Sequence, residues 1–198
     1  MATDRVLAHV VGIEDLAVIR NLEIAFEEET KTIAASKAYA EKADEEGYHG
    51  IASLFRALVR AEQIHASNHA RVLRHMGGST MFDVPIPQVQ STLENLNAAL
   101  VEQKFEVDHL YPTFLTDAVP LFDATAARSF QSALDADKSH VRLYDDVMPL
   151  VNANVKSGWA YEPHDFFVCT LCGYAGQNAE GENCPACNYP WEKFETVR

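Results

Sequence analysis

The chain of 198 residues sets 16 Lys and Arg against 29 Asp and Glu, a formal charge of −13, with 47% hydrophobic and 23% charged residues. This is the composition of a folded globular protein, and its acidity argues against nucleic acid or an anionic membrane surface as a partner. No apolar run approaches the ~20 residues of a transmembrane helix, and Met1 to Arg20 lacks the basic segment of a signal peptide, so a cytoplasmic location is expected.

Apolar residues at alternating three- and four-residue steps predict four amphipathic helices. The first runs from about Ile13 to Glu46, closes at Gly47, and carries a stripe through Leu22, Phe26, Glu29, Ile33 and Ser36. The second, about His49 to Met76, carries Phe55, Leu58, Glu62, His65, His69 and Val72, and ends at Gly77-Gly78. The third, about Pro87 to Ala118, carries Leu96, Ala99, Gln103, Glu106, Leu110 and Phe114, with a kink expected at Pro112. The fourth, about Leu121 to Asn154, carries Phe130, Ala133, Asp137, His140, Tyr144 and Val147. Short joins at Gly47 and Val119-Pro120 make two antiparallel hairpins, and Gly77 to Pro87 must cross between them. That order describes a ferritin-like four-helix bundle with one long crossover, assigned to residues 1–155.

After a linker at 156–162, helical periodicity stops and Gly, Pro, Asn, Cys and aromatics take over. Residues 163–198 read as a separate small domain, too short for a core of its own and therefore held by a metal. Cys169-x-x-Cys172 and Cys184-x-x-Cys187 form two knuckles separated by eleven residues. In a reducing compartment such clustering reads as a tetrahedral four-thiolate site and not as disulfides. Zinc there would make a structural ribbon, iron a one-electron carrier. Tyr174, Tyr189, Trp191 and Phe194 are expected to form the small core around it.

All four helical stripes are interrupted at mid-length by metal-ligand types. Glu62-x-x-His65 and Asp137-x-x-His140 each place two ligands on one helical face, and Glu29 and Glu106 add single carboxylates. A lone Glu-x-x-His is ordinarily a solvated face. Four such interruptions at matching depth point to the di-iron carboxylate arrangement of helical bundles. Two divalent ions would offset Glu29, Glu62, Glu106 and Asp137, none of which is cheaply buried alone. Carboxylate and imidazole donors suit iron or manganese. His69 lies one turn beyond His65, beside the site or at the bundle rim. His9, His49, His75, His109 and His164 read as surface or packing residues.

Glu29, Glu62-x-x-His65, Glu106 ahead of Tyr111-Pro112, Asp137-x-x-His140 and the cysteine knuckles, in that order, resemble the rubrerythrin family over nearly the whole chain. The resemblance implies a non-haem di-iron peroxidase that reduces hydrogen peroxide to water. It implies two irons in the bundle and one iron on the rubredoxin-like cysteines, fed by a reduced-pyridine-nucleotide-dependent reductase or a small redox protein. Glu62 and Asp137 would bridge the irons, Glu29 and His65 serving one and His140 the other, with Glu106 terminal or mobile. Three departures stand out. Gln103 replaces the family's usual Glu, and either Gln103 or, through a helical bulge, Glu102 would take that place. Asp137 is shorter than the usual Glu, and Ser36 stands where the family has a Tyr.

His140 lies about 14 residues before the end of the fourth helix, roughly 20 Å at 1.5 Å per residue. A cysteine domain hanging beyond that end would be far from its own di-iron site, which points to a head-to-tail homodimer; the alternative is that Asn154 to His164 folds back. Two other functional readings use the same residues. One is a ferroxidase or iron-handling ferritin-like protein, which leaves the cysteines unexplained. The other is a non-enzymatic zinc-ribbon binding module on a degenerate bundle.

Overall fold

The helical stripes fold as two hairpins in a computed structural model that describes residues 13–118, 124–152, 158–178 and 181–198. Helices α1 (Ile13–Glu45) and α2 (His49–Met76) form the first hairpin. Gly47 turns it in the left-handed region (φ 83°), which a side chain would resist, and Tyr48 N–H donates to the Ala43 carbonyl at 2.8 Å. Helix α3 (Thr92–Phe105) starts later than the sequence pattern placed it. Residues 87–90 stay outside the helix because Ser91 and Glu94 close a reciprocal capping box that fixes the first turn there.

The irregularity expected at Pro112 appears one turn earlier, as a widened π turn over Glu106–Leu110 followed by α4 (Tyr111–Ala118). Pro112 cannot donate to the Asp108 carbonyl, and Tyr111 N–H reaches five residues back to Glu106. One residue is thereby inserted into the helical frame beside the polar stripe. Helix α5 (Ala124–Asn152) completes the bundle. The turn at Val119-Pro120 and the helix ends expected at Leu121 and Asn154 lie outside the described residues.

Beyond the bundle, strands β1 (Phe166–Cys169), β2 (Ala175–Gly176) and β3 (Phe194–Val197) form an antiparallel sheet in the order β2-β1-β3. Phe166, Val168 and Ala175 bury into the same apolar cluster as Phe55, Leu58, Tyr144 and Val147. The small domain therefore borrows its core from the bundle, as its size requires. A second cluster of Leu22, Leu73, Tyr111, Phe114 and Phe130 fills the other half of the bundle. Around the cysteines, Tyr174 and Phe194 pack as expected and Trp191 leans on Phe194. Tyr189 does not; it is exposed, its ring lying outside that cluster.

Polar clamps hold the sheet on α2. Arg60 makes a bidentate pair with Glu195 (2.6 and 2.9 Å), Arg56 donates to the Arg198 carbonyl (2.8 Å), and Asn68 donates to the Leu171 carbonyl (3.0 Å). The cysteine domain thus lies over its own bundle. The distance argument for a head-to-tail dimer falls away, because one chain brings the two sites together. No helix among the described residues is long and apolar enough to cross a membrane.

The returning segment crosses α2 at Gly50, where a Cβ would stand 2.1 Å from the Trp159 carbonyl oxygen and 2.8 Å from that of Glu162. Both neighbours are backbone and cannot swing aside. Gly50→Ala should cost about 1–3 kcal/mol of stability, the usual range for overpacking. Urea unfolding checks this, and an unchanged midpoint would show that the crossing is not tight.

Candidate metal centres

Helix α2 carries Glu62 and His65 inward, α5 carries Asp137 and His140, and α1 carries Glu29; all five are buried. Their ligand atoms form two groups, Glu29–Glu62–His65 and Glu62–Asp137–His140, each within 4.8 Å. Glu62 belongs to both. Its Oε2 lies 2.7 Å from His65 Nδ1 and its Oε1 3.2 Å from His140 Nδ1. Asp137 also faces both, with Oδ1 3.5 Å from His65 Nδ1 and 3.2 Å from His140 Nδ1. The shorter aspartate still spans the gap.

Glu106 is buried nearby but outside both groups. Gln103 Nε2 donates to its Oε2 at 2.8 Å, leaving Oε1 without a partner. Gln103 and Glu106, three residues apart, share the inward face where α3 passes into the π turn. Glu102 stays half-buried, accepting a long hydrogen bond from Thr32 at 3.5 Å. Of the two candidates for that position, Gln103 is the one at the cage.

His69 is not at a rim. It is fully buried, its Nε2 3.2 Å from the Tyr111 hydroxyl and its Nδ1 2.8 Å from Ser129 Oγ. Tyr111 in turn donates to Glu29 Oε1. The hydroxyl beside the first carboxylate thus comes from α4, while Ser36 on α1 is simply buried. Sequence reading used Tyr111 only as part of a motif. Its position one turn after the buried Glu106 was the available signal, and Ser129 gave none.

Without cations this cage is electrostatically strained. Burial, then Glu62, push the Glu29 carboxyl well above its ordinary range, and burial with Glu29 and Asp137 does the same to Glu106. Burial alone would lower the two imidazoles. Glu29, Asp137 and Glu62 instead carry His65 well above its usual value, and Glu62 with Asp137 carry His140 up to about 9. His69, buried and next to His65, is held down at about 3 and is neutral.

The donor set fits metal. Glu29 Oε2, both oxygens of Glu62 and Asp137, and the Nδ1 atoms of His65 and His140 are buried with no hydrogen-bond partner of proper geometry. They converge on the same space, so cations satisfy them together. The opposite ring nitrogens are fixed: His65 Nε2 donates to the Cys172 carbonyl at 2.8 Å and His140 Nε2 to the Gly173 carbonyl at 2.9 Å. An Nε2–H donor leaves the Nδ1 lone pair pointing into the cage, the tautomer a metal needs.

Cys169, Cys172, Cys184 and Cys187 are all free and gathered in one group. Sγ separations of 3.7 Å (Cys169–Cys187) and 3.6 Å (Cys172–Cys184) approach the roughly 3.8 Å edge of a tetrahedron with 2.3 Å metal–sulfur bonds. Tyr174 N–H points at Cys172 Sγ (3.5 Å), as a knuckle requires.

A carboxylate–imidazole cage inside a bundle with one crossover, backed by a four-thiolate site, defines a ferritin-like di-iron protein with a rubredoxin-like appendage. The rubrerythrin family model matches residues 20–148, and the chain belongs to the rubrerythrin family. It is similar to nigerythrin of Nitratidesulfovibrio vulgaris, 30% identical over 181 residues that cover 90% of this chain and 85% of that one. It is likewise similar to rubrerythrin-2 of Clostridium acetobutylicum, 29% identical over 160 residues covering 79% and 84%. The solved structure of nigerythrin in a mixed-valence state matches with a TM-score of 0.79 at 28% identity, over 90% of this chain and 86% of that one.

The protonated imidazoles give the metal-free protein a testable signature. His140, held up to about 9, keeps in the fold a proton that the unfolded chain loses above 6.5, so stability must fall as pH rises between those values. The raised Glu29 and Glu106 have the same sign, and Glu62, pushed low by His140 and His65, is ionised throughout. The unfolding free energy of chelator-treated protein, read from urea titrations, should drop across this window by up to about 1.4 kcal/mol per pH unit per group. Metal-loaded protein should lack the drop, and a flat or rising profile without metal would contradict the protonated cage.

Proposed function

We propose that this protein is a non-haem di-iron peroxidase that reduces hydrogen peroxide to water with electrons passed singly through the four-cysteine iron. The observation that carries the reading is the pair of hydrogen bonds from His65 and His140 to the Cys172 and Gly173 carbonyls. Cys172 supplies a thiolate to one site and, through its own carbonyl, a contact to a ligand of the other. The two centres therefore communicate through a few covalent bonds and one hydrogen bond.

When bound, the iron pair supplies the two electrons that break the peroxide O–O bond, and the thiolate iron returns them one at a time. Glu29, Glu62, His65, Asp137 and His140 would hold the pair, with Glu106 beside them and its Oε1 free to turn inward. Reduction of hydrogen peroxide to two waters also consumes two protons, which a dry site must import. The run Ser129–His69–Tyr111–Glu29 provides hydrogen-bonded oxygens and nitrogens from the wall of a surface groove to the cage. Neutral His69 can take a proton on one ring nitrogen while releasing one from the other. A ferroxidase would use the same cage but would leave the four thiolates and their contacts to His65 and His140 without a task.

Metal analysis of protein purified without added metal should give about three irons per chain. A thiolate-to-iron band should bleach with dithionite and recover when peroxide is added anaerobically. One zinc, with a cage that stays empty after anaerobic iron reconstitution, would remove the peroxidase reading.

The contact between the centres has its own test. Gly173 adopts φ +81°, and a Cβ there would stand 2.4 Å from His65 Nε2 and 2.9 Å from the Ala61 carbonyl. Gly173→Ala should slow oxidation of the reduced thiolate iron by peroxide tenfold or more. Single-turnover oxidation of the cage iron, whose ligand His65 the new Cβ also presses, should slow much less. Equal slowing of both, or of neither, would disconnect this contact from electron flow.

A further inference from the structure

Of the seven tyrosines, Tyr111 is the one whose hydroxyl is bonded, among the described residues, to a carboxylate of the cage. Its O–H donates to Glu29 Oε1, and the same oxygen lies 3.2 Å from His69 Nε2. With the phenolic proton committed to Glu29, His69 must donate at Nε2, and Ser129 Oγ, 2.8 Å from Nδ1, then donates there. The phenol oxygen therefore gives one hydrogen bond and receives another. The residue is 1% exposed. Among the described residues its ring meets three others: His69, stacked at 5.9 Å, and Phe114 and Phe130, each at 6.3 Å.

A phenol gives up an electron far more readily than a phenyl ring or a neutral imidazole, so an electron lost from Tyr111 is not refilled by its aromatic neighbours. The other tyrosines stand apart from the cage carboxylates. Tyr39 and Tyr144 flank Phe55, and Tyr48 stacks on Tyr161. Peroxide reduction takes two electrons, but a thiolate iron returns them singly. Each turnover therefore passes through a state in which the iron pair holds one electron. Peroxide meeting that state is offered half of what it needs, and its one-electron cleavage releases a hydroxyl radical, the kind of side reaction that a closed site has to prevent.

We propose that Tyr111 is a redox-active tyrosine, which supplies the missing electron when peroxide meets an iron pair holding only one. The proposal rests on the peroxidase reading and adds a second electron donor to the same site. Hydrogen peroxide takes one electron from the ferrous ion, one electron and the phenolic proton from Tyr111, and one proton from solvent. The O–O bond breaks, two waters form, and the iron is left ferric and Tyr111 a neutral phenoxyl radical. The phenolic proton leaves along the bond that it already makes, to Glu29 Oε1, on its way to the peroxide oxygen. His69 keeps its hydrogen bond to the phenoxyl oxygen, which then has no proton of its own. The next electron from the thiolate iron, with one proton, restores the phenol. Burial shields the radical from solvent until then.

The test starts from reduced, iron-loaded protein that is reoxidised anaerobically until the mixed-valence signal of the iron pair is at its maximum. It is then mixed with one equivalent of hydrogen peroxide, freeze-quenched and read by electron paramagnetic resonance. The parent should show a tyrosyl radical whose signal narrows in protein made with ring-deuterated tyrosine. Tyr111→Phe should lose that signal, and spin-trapped hydroxyl radical should rise in its place. Tyr39→Phe and Tyr144→Phe should keep the signal of the parent. His69→Leu spares the phenol and its bond to Glu29, so its radical should still form, with a shorter lifetime and the higher g value of a phenoxyl that receives no hydrogen bond. A parent that forms no radical, or a radical that survives Tyr111→Phe, would overturn the proposal. Where Tyr111→Phe gives no mixed-valence signal to start from, His69→Leu decides, and an unchanged g value would overturn it. Failure of the peroxidase reading shows separately, as fully reduced protein that leaves peroxide unconsumed.

Discussion

Four carboxylates, those of Glu29, Glu62, Glu106 and Asp137, are buried within one helical bundle, and the rest of the molecule is arranged around that fact. Repulsion among them and the loss of their hydration are far too costly to leave uncompensated. Imidazole protons compensate in the metal-free chain, and cations do so when metal is bound. The three-residue spacing of Glu62 to His65 and of Asp137 to His140 follows directly, since each helix must bring a basic ring to the carboxylate that it buries. Tyr111 and Gln103 serve the same need by donating to Glu29 and Glu106, which lie at the edge of the cage.

The bundle alone cannot finish the site. A histidine that must present Nδ1 inward needs an acceptor for Nε2 outside, and among the described residues no side chain of α1 to α5 is bonded there. The cysteine domain provides both acceptors as backbone carbonyls, on consecutive residues of the first knuckle. Backbone carbonyls cannot rotate away, and this acceptor survives any side-chain substitution compatible with the turn. Gly173 is required because the knuckle needs positive φ and because His65 leaves no room for a Cβ.

Much of this was legible in the sequence, for identifiable reasons. A 3.6-residue period is unambiguous over helices of about 30 residues, and ligand-type residues on an apolar face cannot be explained by solvation. The four cysteines carry their own geometry in their spacing. What escaped was set by tertiary contact. The start of α3 was written in Ser91-x-x-Glu94, but the apolar pattern extending back to Pro87 obscured it. Pro112 announced an irregularity without saying that it would be absorbed as a π turn one turn upstream. His69 stayed undecided between the cage and the rim because its partners, Tyr111 and Ser129, come from two distant helices. Fold-back of the cysteine domain stood open beside the dimer, because the contacts that decide it, at Gly50, Arg56 and Arg60, form only in the folded chain.

The shared hydrogen bonds also make the two metal sites thermodynamically linked. The knuckle carbonyls lie in the loop that carries Cys172, so metal on the thiolates would help to hold them, beside the apolar and polar contacts that dock the domain on the bundle. Emptying the thiolate site would therefore loosen the acceptors of His65 and His140 Nε2, and with them the tautomer that aims Nδ1 into the cage. Linkage is reciprocal, so iron in the cage, by fixing both rings, strengthens the docking of the cysteine domain on α2 and α5. Under the proposed function, the contact that would carry electrons and the structural contact are the same atoms. A chain that lost one centre would thereby be biased against completing the other.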